Sequence, residues 1–199
     1  MDPRPIELFF STLGLVALAG SIGYLLLKLA GSFGKVENPS STVEVASHFA
    51  RRVTGWFENI SLEVMALVAF TCMAGSLVMS EVLGYVPCLY CWIQRGFMYP
   101  AALILLVALT IAYRRGNPKV TRALVAAAVG LAALGLPVAL FHRYQQDADT
   151  GLNFCSASVS CSDKWFDHFG FITIPALAGI GFFTICVFGI PLLRRMRAS

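Results

Sequence analysis

Five stretches of this chain contain no Asp, Glu, Lys or Arg: residues 8–27, 64–80, 96–113, 123–142 and 168–193. Each approaches or exceeds the ~18–20 apolar residues that a helix needs to cross a ~30 Å hydrocarbon core. Helices of a soluble bundle carry a polar stripe, and these stretches carry none. The whole chain is 57% hydrophobic and only 13% charged, whereas soluble domains run near 25% charged. These features predict a single compact all-α membrane domain with five spans and exclude a water-soluble globule. No long-period repeat is present.

The formal net charge of +4 does not describe a nucleic-acid interface. The basic residues fall in short runs between apolar stretches, which is how membrane topology is written. Eleven Lys and Arg lie in residues 28–63, 114–122 and 194–199, against Arg4, Arg95, Arg143 and Lys164 on the other side. The excess predicts that the first group is cytoplasmic, with the N-terminus outside and the C-terminus inside. Ala17-Leu18-Ala19 has the form of a signal-peptide cleavage site. However, residues 1–7 carry one Arg against Asp2 and Glu7, and the apolar run continues past Ala19. Removal would also leave both basic loops on the wrong side, so the first span is expected to be retained.

Residues 31–42 are rich in Gly, Ser, Pro and Asn and read as a linker. Beyond it, Ala46, Phe49, Val53, Trp56, Phe57 and Ile60 recur at helical spacing. That pattern fits an interfacial helix on the cytoplasmic leaflet or an extension of the next span.

The chemistry resides in the cysteines. Cys88 and Cys91 form a Cys-x-x-Cys at the mouth of the third span, and Cys155 and Cys161 lie in a later loop on the same side. All four fall outside, where thiols are not held reduced. A Cys-x-x-Cys serves thiol–disulfide exchange, zinc binding or haem attachment. No His follows Cys91, which disfavours haem. The four cysteines together could complete a zinc tetrahedron, but an oxidising compartment suits redox chemistry better.

With a helix starting near Trp92, Cys91 sits at its N-terminus, where a thiolate is stabilised. Arg95 follows one turn later and can pair with that sulfur or with a carbonyl oxygen. The plain alternative is that Arg95 snorkels to the headgroups. Trp92, Phe97 and Tyr99 can wall a flat aromatic ligand such as a quinone, or simply form an interfacial aromatic belt. Between Cys155 and Cys161 stand five small or polar residues, a tether suited either to exchange or to a structural disulfide. His142 tops the fourth span and can meet a quinone oxygen, a thiolate or a loop. Cys72 and Cys186 lie inside spans and read as inert buried thiols. His48 and His168 read as interfacial or loop residues.

Pro87-Cys88-x-x-Cys91 with Arg95 four residues beyond, together with Cys161-Ser-Asp-Lys-Trp165-Phe-Asp167-His-Phe-Gly170 and Pro175, resembles the DsbB family of bacterial membrane thiol oxidases. The short spacing of the second pair is similar to the BdbC-type branch. Vitamin K epoxide reductase-like proteins carry their Cys-x-x-Cys after the loop pair, so the order here argues against them. The resemblance covers about residues 62–193.

It implies a four-helix transmembrane bundle, here with an additional N-terminal transmembrane helix. It also implies a membrane quinone, ubiquinone or menaquinone, beside Cys91, and a DsbA-like thioredoxin-fold thiol oxidase as the soluble partner. Cys88, Cys91, Cys155 and Cys161 are then catalytic, and Arg95, Cys91 and His142 contact the quinone, with Trp92 expected beside them as an aromatic wall. Gln94 stands where enterobacterial members have an acidic residue. Residues 1–60 have no counterpart in the four-helix family.

The expected organisation is an extra N-terminal helix (1–30), a cytoplasmic linker and amphipathic segment (31–60), a four-helix core (61–193) and a basic tail (194–199). Competing readings are a non-catalytic protein binding metal through the outer cysteines, and an oxidoreductase working in the reductive direction.

Overall fold

A computed structural model describes residues 2–33, 41–114, 116–148 and 164–198. They form six α-helices: α1 (Arg4–Phe33), α2 (Ser41–Asn59), α3 (Ser61–Leu77), α4 (Leu89–Tyr113), α5 (Pro118–Ala148) and α6 (Ile174–Ala198). The end of α3 widens into a π-wound turn, Val78–Val82. Five helices, all but α2, are long and apolar enough to cross a membrane. The charge-free stretches predict those five, because an unpaired charge in hydrocarbon is expensive. No strand occurs among the described residues, apart from one isolated bridge between His168 and Ile172.

Helices α3, α4, α5 and α6 pack in a ring, each against the next, with α6 closing on α3. Lipid is as apolar as a leucine side chain, so burial alone does not hold such helices together; close packing does. The core accordingly mixes Ala69, Ala101, Ala108, Ala128 and Ala132 with Met65, Leu105, Phe182 and Ile185, all fully buried. Gly135 shows how close the approach is. A Cβ there would lie 2.4 Å from the Phe182 ring, so α5 and α6 meet at that point only with glycine.

Helix α1 lies outside this ring and packs along α6. Gly14 receives Leu177 of α6, and Gly75 of α3 receives the ring of Phe10. Polar groups on an apolar helix need partners, and those of α1 tie it down at three levels. Glu7, 5% exposed, accepts hydrogen bonds from the Tyr85 hydroxyl and from His168 Nε2, the latter at 3.2 Å. Ser21 Oγ lies 3.0 Å from Thr184 Oγ1 of α6. Lys28 pairs with Glu58 of α2 at 2.9 Å.

Helix α2 runs back along the end of α1, with Glu58 beside Lys28 and Arg51 beside Gly31. A break at Ile60 (φ −104°, ψ 12°) separates it from α3. The side of α2 buried in the structure is Ser47, Ala50 and Thr54, not the larger apolar stripe that periodicity picks out. Small residues allow the two backbones to approach. Phe49 and Trp56 of that larger stripe remain exposed, free to meet an interface.

Candidate functional site

The Cys-x-x-Cys builds the start of α4. Pro87 holds Val86 out of the helical region, and Cys88 is extended (φ −75°, ψ 174°) and serves as the N-cap of α4. Its sulfur accepts the Cys91 backbone N–H at 3.4 Å, satisfying one of the orphan donors of a helix start. The helix therefore begins about a turn before the position near Trp92 expected from sequence. Its N-terminal donors serve Cys88 rather than Cys91. The two sulfurs are 3.0 Å apart as free thiols.

The pair has two unlike sides. On one side, Cys88 (6% exposed) faces His142 (2% exposed). His142 Nε2 is 3.5 Å from the Cys88 sulfur, and its Nδ1 is 3.0 Å from Gln94 Nε2. With the amide donating to Nδ1, the imidazole carries its proton on Nε2 and directs it at Cys88. Hydrogen bonding from the Cys91 thiol, and secondarily from His142, holds the Cys88 thiol far below the ordinary cysteine range, against the opposing effect of burial.

A depressed folded value keeps the thiolate present above it and loses it only as pH falls through it. His142→Ala should therefore move the thiolate titration of the reduced protein, read by ultraviolet absorbance, to higher pH. An unchanged midpoint would remove His142 from this role.

On the other side, Cys91 lines an apolar cavity of about 480 Å³ between α1, α3, α4 and α6, and Gln94, Arg95 and Ser76 share its wall. Arg95 Nε donates to Ser76 Oγ and Nη2 to the Ser76 carbonyl, both at 2.9 Å. Tyr99 donates to the same hydroxyl at 3.4 Å. Arg95 thus spans α4 to α3 where the latter passes into its π-wound turn. Its Nη1 makes no hydrogen bond among the described residues.

Trp92, expected at the cofactor, is 59% exposed and outside the cavity wall, with the Arg95 guanidinium 5.1 Å from its ring centroid. His142 is also outside the cavity wall. Cys72, expected to be an inert interior thiol, is part of that wall. The cavity fits a quinone ring: it is apolar, and a cation and a redox sulfur meet at one end of it.

Cys155 and Cys161 lie outside the described residues, which stop at Ala148 and resume at Lys164. Trp165, four residues after Cys161, stacks on Tyr85, three residues before Cys88, with centroids 4.6 Å apart and planes 13° apart. Lys164 bonds Asp147 at the top of α5 at 2.9 Å, and Asp147 also pairs with Arg143. Asp147 holds the Lys164 ammonium above its ordinary value.

A tight turn follows, with Phe169 and Gly170 at φ 57° and 76°. The second of these is the conformation glycine adopts at no steric cost. The turn carries His168 back to Glu7. The Tyr85 phenol, partly desolvated and facing the Glu7 carboxylate, is pushed up to about 12, so it remains a donor at any physiological pH.

Sequence reasoning did not find Ser76, the contact between Gln94 and His142, or the Glu7–Tyr85–His168 cluster. The available signal was polarity itself. Gln94 and Glu7 sit beside or within apolar stretches, where an unpartnered polar group is costly.

A five-span helical membrane protein with a Cys-x-x-Cys capping one helix and a cavity behind it defines a membrane thiol–disulfide protein. Residues 58–191 match the family described as Disulfide bond formation protein DsbB, and the chain belongs to that family. It is 37% identical over 124 residues to Disulfide bond formation protein C of Bacillus subtilis (strain 168), covering 61% of this chain and 84% of the relative. It is 36% identical over 149 residues to a probable disulfide formation protein of Oceanobacillus iheyensis, covering 72% and 95%. To Probable disulfide formation protein C 1 of Bacillus anthracis it is 35% identical over 121 residues, covering 60% and 81%. No solved structure matches the chain significantly. It is thus a multi-pass membrane protein of disulfide-bond formation.

Proposed function

We propose that the chain reoxidises an extracytoplasmic, thioredoxin-fold thiol oxidase of the DsbA type and passes the electrons to a membrane quinone. One observation carries this reading: of the two sulfurs in the Cys-x-x-Cys, Cys91 lines the apolar cavity and Cys88 does not. Cys88 is thereby left to exchange with a thiol, and Cys91 to face an apolar oxidant. Disposition of the basic residues supports an orientation with these cysteines outside the cytoplasm.

The exchange steps balance on the chain's own sulfurs. A partner thiolate attacks Cys155 of the Cys155–Cys161 disulfide, releasing the Cys161 thiolate. The partner's second thiolate then displaces Cys155, leaving the partner oxidised and the loop pair as a dithiol. Cys161 attacks Cys88, and Cys91 leaves as a thiolate that takes up the proton given up by Cys161. Cys155 closes back on Cys161, releasing Cys88 as a thiolate, which the Cys91 thiol and His142 stabilise; a stable leaving thiolate speeds this displacement.

The stacking of Trp165 on Tyr85 supports the encounter. Four residues of chain reach at most ~14 Å, so Cys161 is tethered near the loop that carries Cys88. A quinone, when bound, supplies the two-electron, two-proton sink that returns Cys88–Cys91 to the disulfide. Arg95 Nη1 offers a donor for a carbonyl oxygen in the cavity.

The test is anaerobic. The purified protein is given a reduced thioredoxin-fold dithiol protein and a quinone, and quinol is measured against partner disulfide. One quinol per disulfide over many turnovers is expected; partner oxidation with no quinol would overturn the proposal. Cys88, Cys91 and His142 also present three ligand atoms within 4.8 Å of one another, the start of a zinc site. Stoichiometric zinc with protected thiolates in the active preparation would favour the metal-binding reading instead.

A further inference from the structure

The cavity is longer than its redox end requires. Helix α4 contributes wall residues only from Cys91 to Tyr99, whereas α3 contributes them from Val64 to Met79. At 1.5 Å per residue these spans are about 12 and 22 Å. The remaining length is flanked by α1, whose wall residues run from Phe10 to Ser21, about 16 Å along the helix. The family match begins at residue 58, so this wall comes from outside the matched residues.

The wall is also fixed in position. Glu7 anchors one end, the Ser21–Thr184 contact anchors the other, and Gly14 and Gly75 allow α1 to seat against α6 and α3. Below Arg95 the lining is aliphatic and aromatic, and its buried hydroxyls Ser21 and Thr184 face each other. Thr71 adds one hydroxyl on the α3 side, but no charged side chain lines the chamber beyond Arg95, so it suits an apolar chain such as an isoprenoid.

We propose that α1 is the tail-binding wall of the quinone site. It confines the polyprenyl tail between α1, α3 and α6, while the ring lies at Cys91 and Arg95. This rests on the quinone reading above and assigns a role to the N-terminal helix. Tail binding here owes little to hydrophobic transfer, because the tail leaves lipid for an equally apolar site. It depends on packing and shape, so it is sensitive to steric filling.

Gly20 lines the chamber, and a Cβ there would meet no atom within 4 Å. Gly20→Phe therefore fills ligand space without displacing protein. Anaerobic quinone reduction is measured with a multi-isoprene quinone and with its tailless ring analogue. The unaltered chain is expected to show a lower KM for the tailed quinone. Gly20→Phe and Ala17→Phe should raise the ratio of tailed to tailless KM about tenfold, about 1.4 kcal/mol. Ala19→Phe, an exposed neighbour off the cavity wall, should leave both KM values as they are.

An unaltered ratio in Gly20→Phe and Ala17→Phe, with normal quinone turnover by the unaltered chain, overturns the tail wall alone. A phospholipid retained in the chamber with no dependence on quinone tail length does the same. Absence of quinone reduction by the unaltered chain overturns the underlying function and this inference together.

Discussion

Cys91→Ser is expected to abolish quinone-dependent turnover while sparing a single oxidation event. The serine hydroxyl cannot close a disulfide with Cys88, so the pair facing the cavity cannot be reoxidised. The Cys155–Cys161 disulfide is still available to oxidise one equivalent of partner dithiol. Stopped-flow or quenched assays should therefore show a burst of about one equivalent with a steady-state rate at background. Sustained turnover by the variant would show that electrons leave by a route other than Cys91. A burst absent altogether would mean that the loop pair is not the partner-facing one.

Arg95→Ala should lower kcat/KM for quinone by about 10- to 100-fold, the scale of a lost charge-assisted hydrogen bond. The guanidinium uses two nitrogens to grip Ser76, and Nη1 makes no hydrogen bond among the described residues. Lysine carries the charge but not the fork, so Arg95→Lys should recover only part of the loss. Ser76→Ala separates anchoring from ligand contact. It removes one of the two bonds that aim the arginine but keeps the cation, and should cost less than Arg95→Ala. Equal losses in Ser76→Ala and Arg95→Ala would reduce Arg95 to a strut between α4 and α3. Quinone kinetics unchanged by Arg95→Ala would remove it from the site.

The spans were legible because hydrocarbon imposes a one-dimensional rule: a charge-free run of sufficient length crosses. The family was legible because Cys88, Cys91, Arg95 and the 161–170 segment are local patterns. What could not be read depends on how helices are rotated against one another. Nothing near Arg95 in sequence names Ser76, which is 19 residues earlier on another helix. Nothing near Glu7 names His168, 161 residues away. The start of α4 was misjudged by about a turn because a cysteine is an uncommon N-cap, and the capping bond to its sulfur is visible only in three dimensions. The apolar stripe of α2 was legible as a face for the membrane interface, and Phe49 and Trp56 are indeed exposed; its protein-facing side was not, because periodicity weighs side-chain hydrophobicity. Packing against α1 instead selected the small residues Ser47, Ala50 and Thr54.

The account stands on a single meeting of sulfurs, Cys161 with Cys88, made possible by a loop whose flank is stacked on Tyr85. A full-length Cys91→Ser, Cys155→Ser double variant leaves those two thiols with no other partner in either pair. Mapped by mass spectrometry of non-reduced peptides under mild oxidation, it should contain a near-stoichiometric intramolecular Cys88–Cys161 disulfide. Recovery of both residues as free thiols, or only as disulfides between separate molecules, would show that the two pairs do not meet.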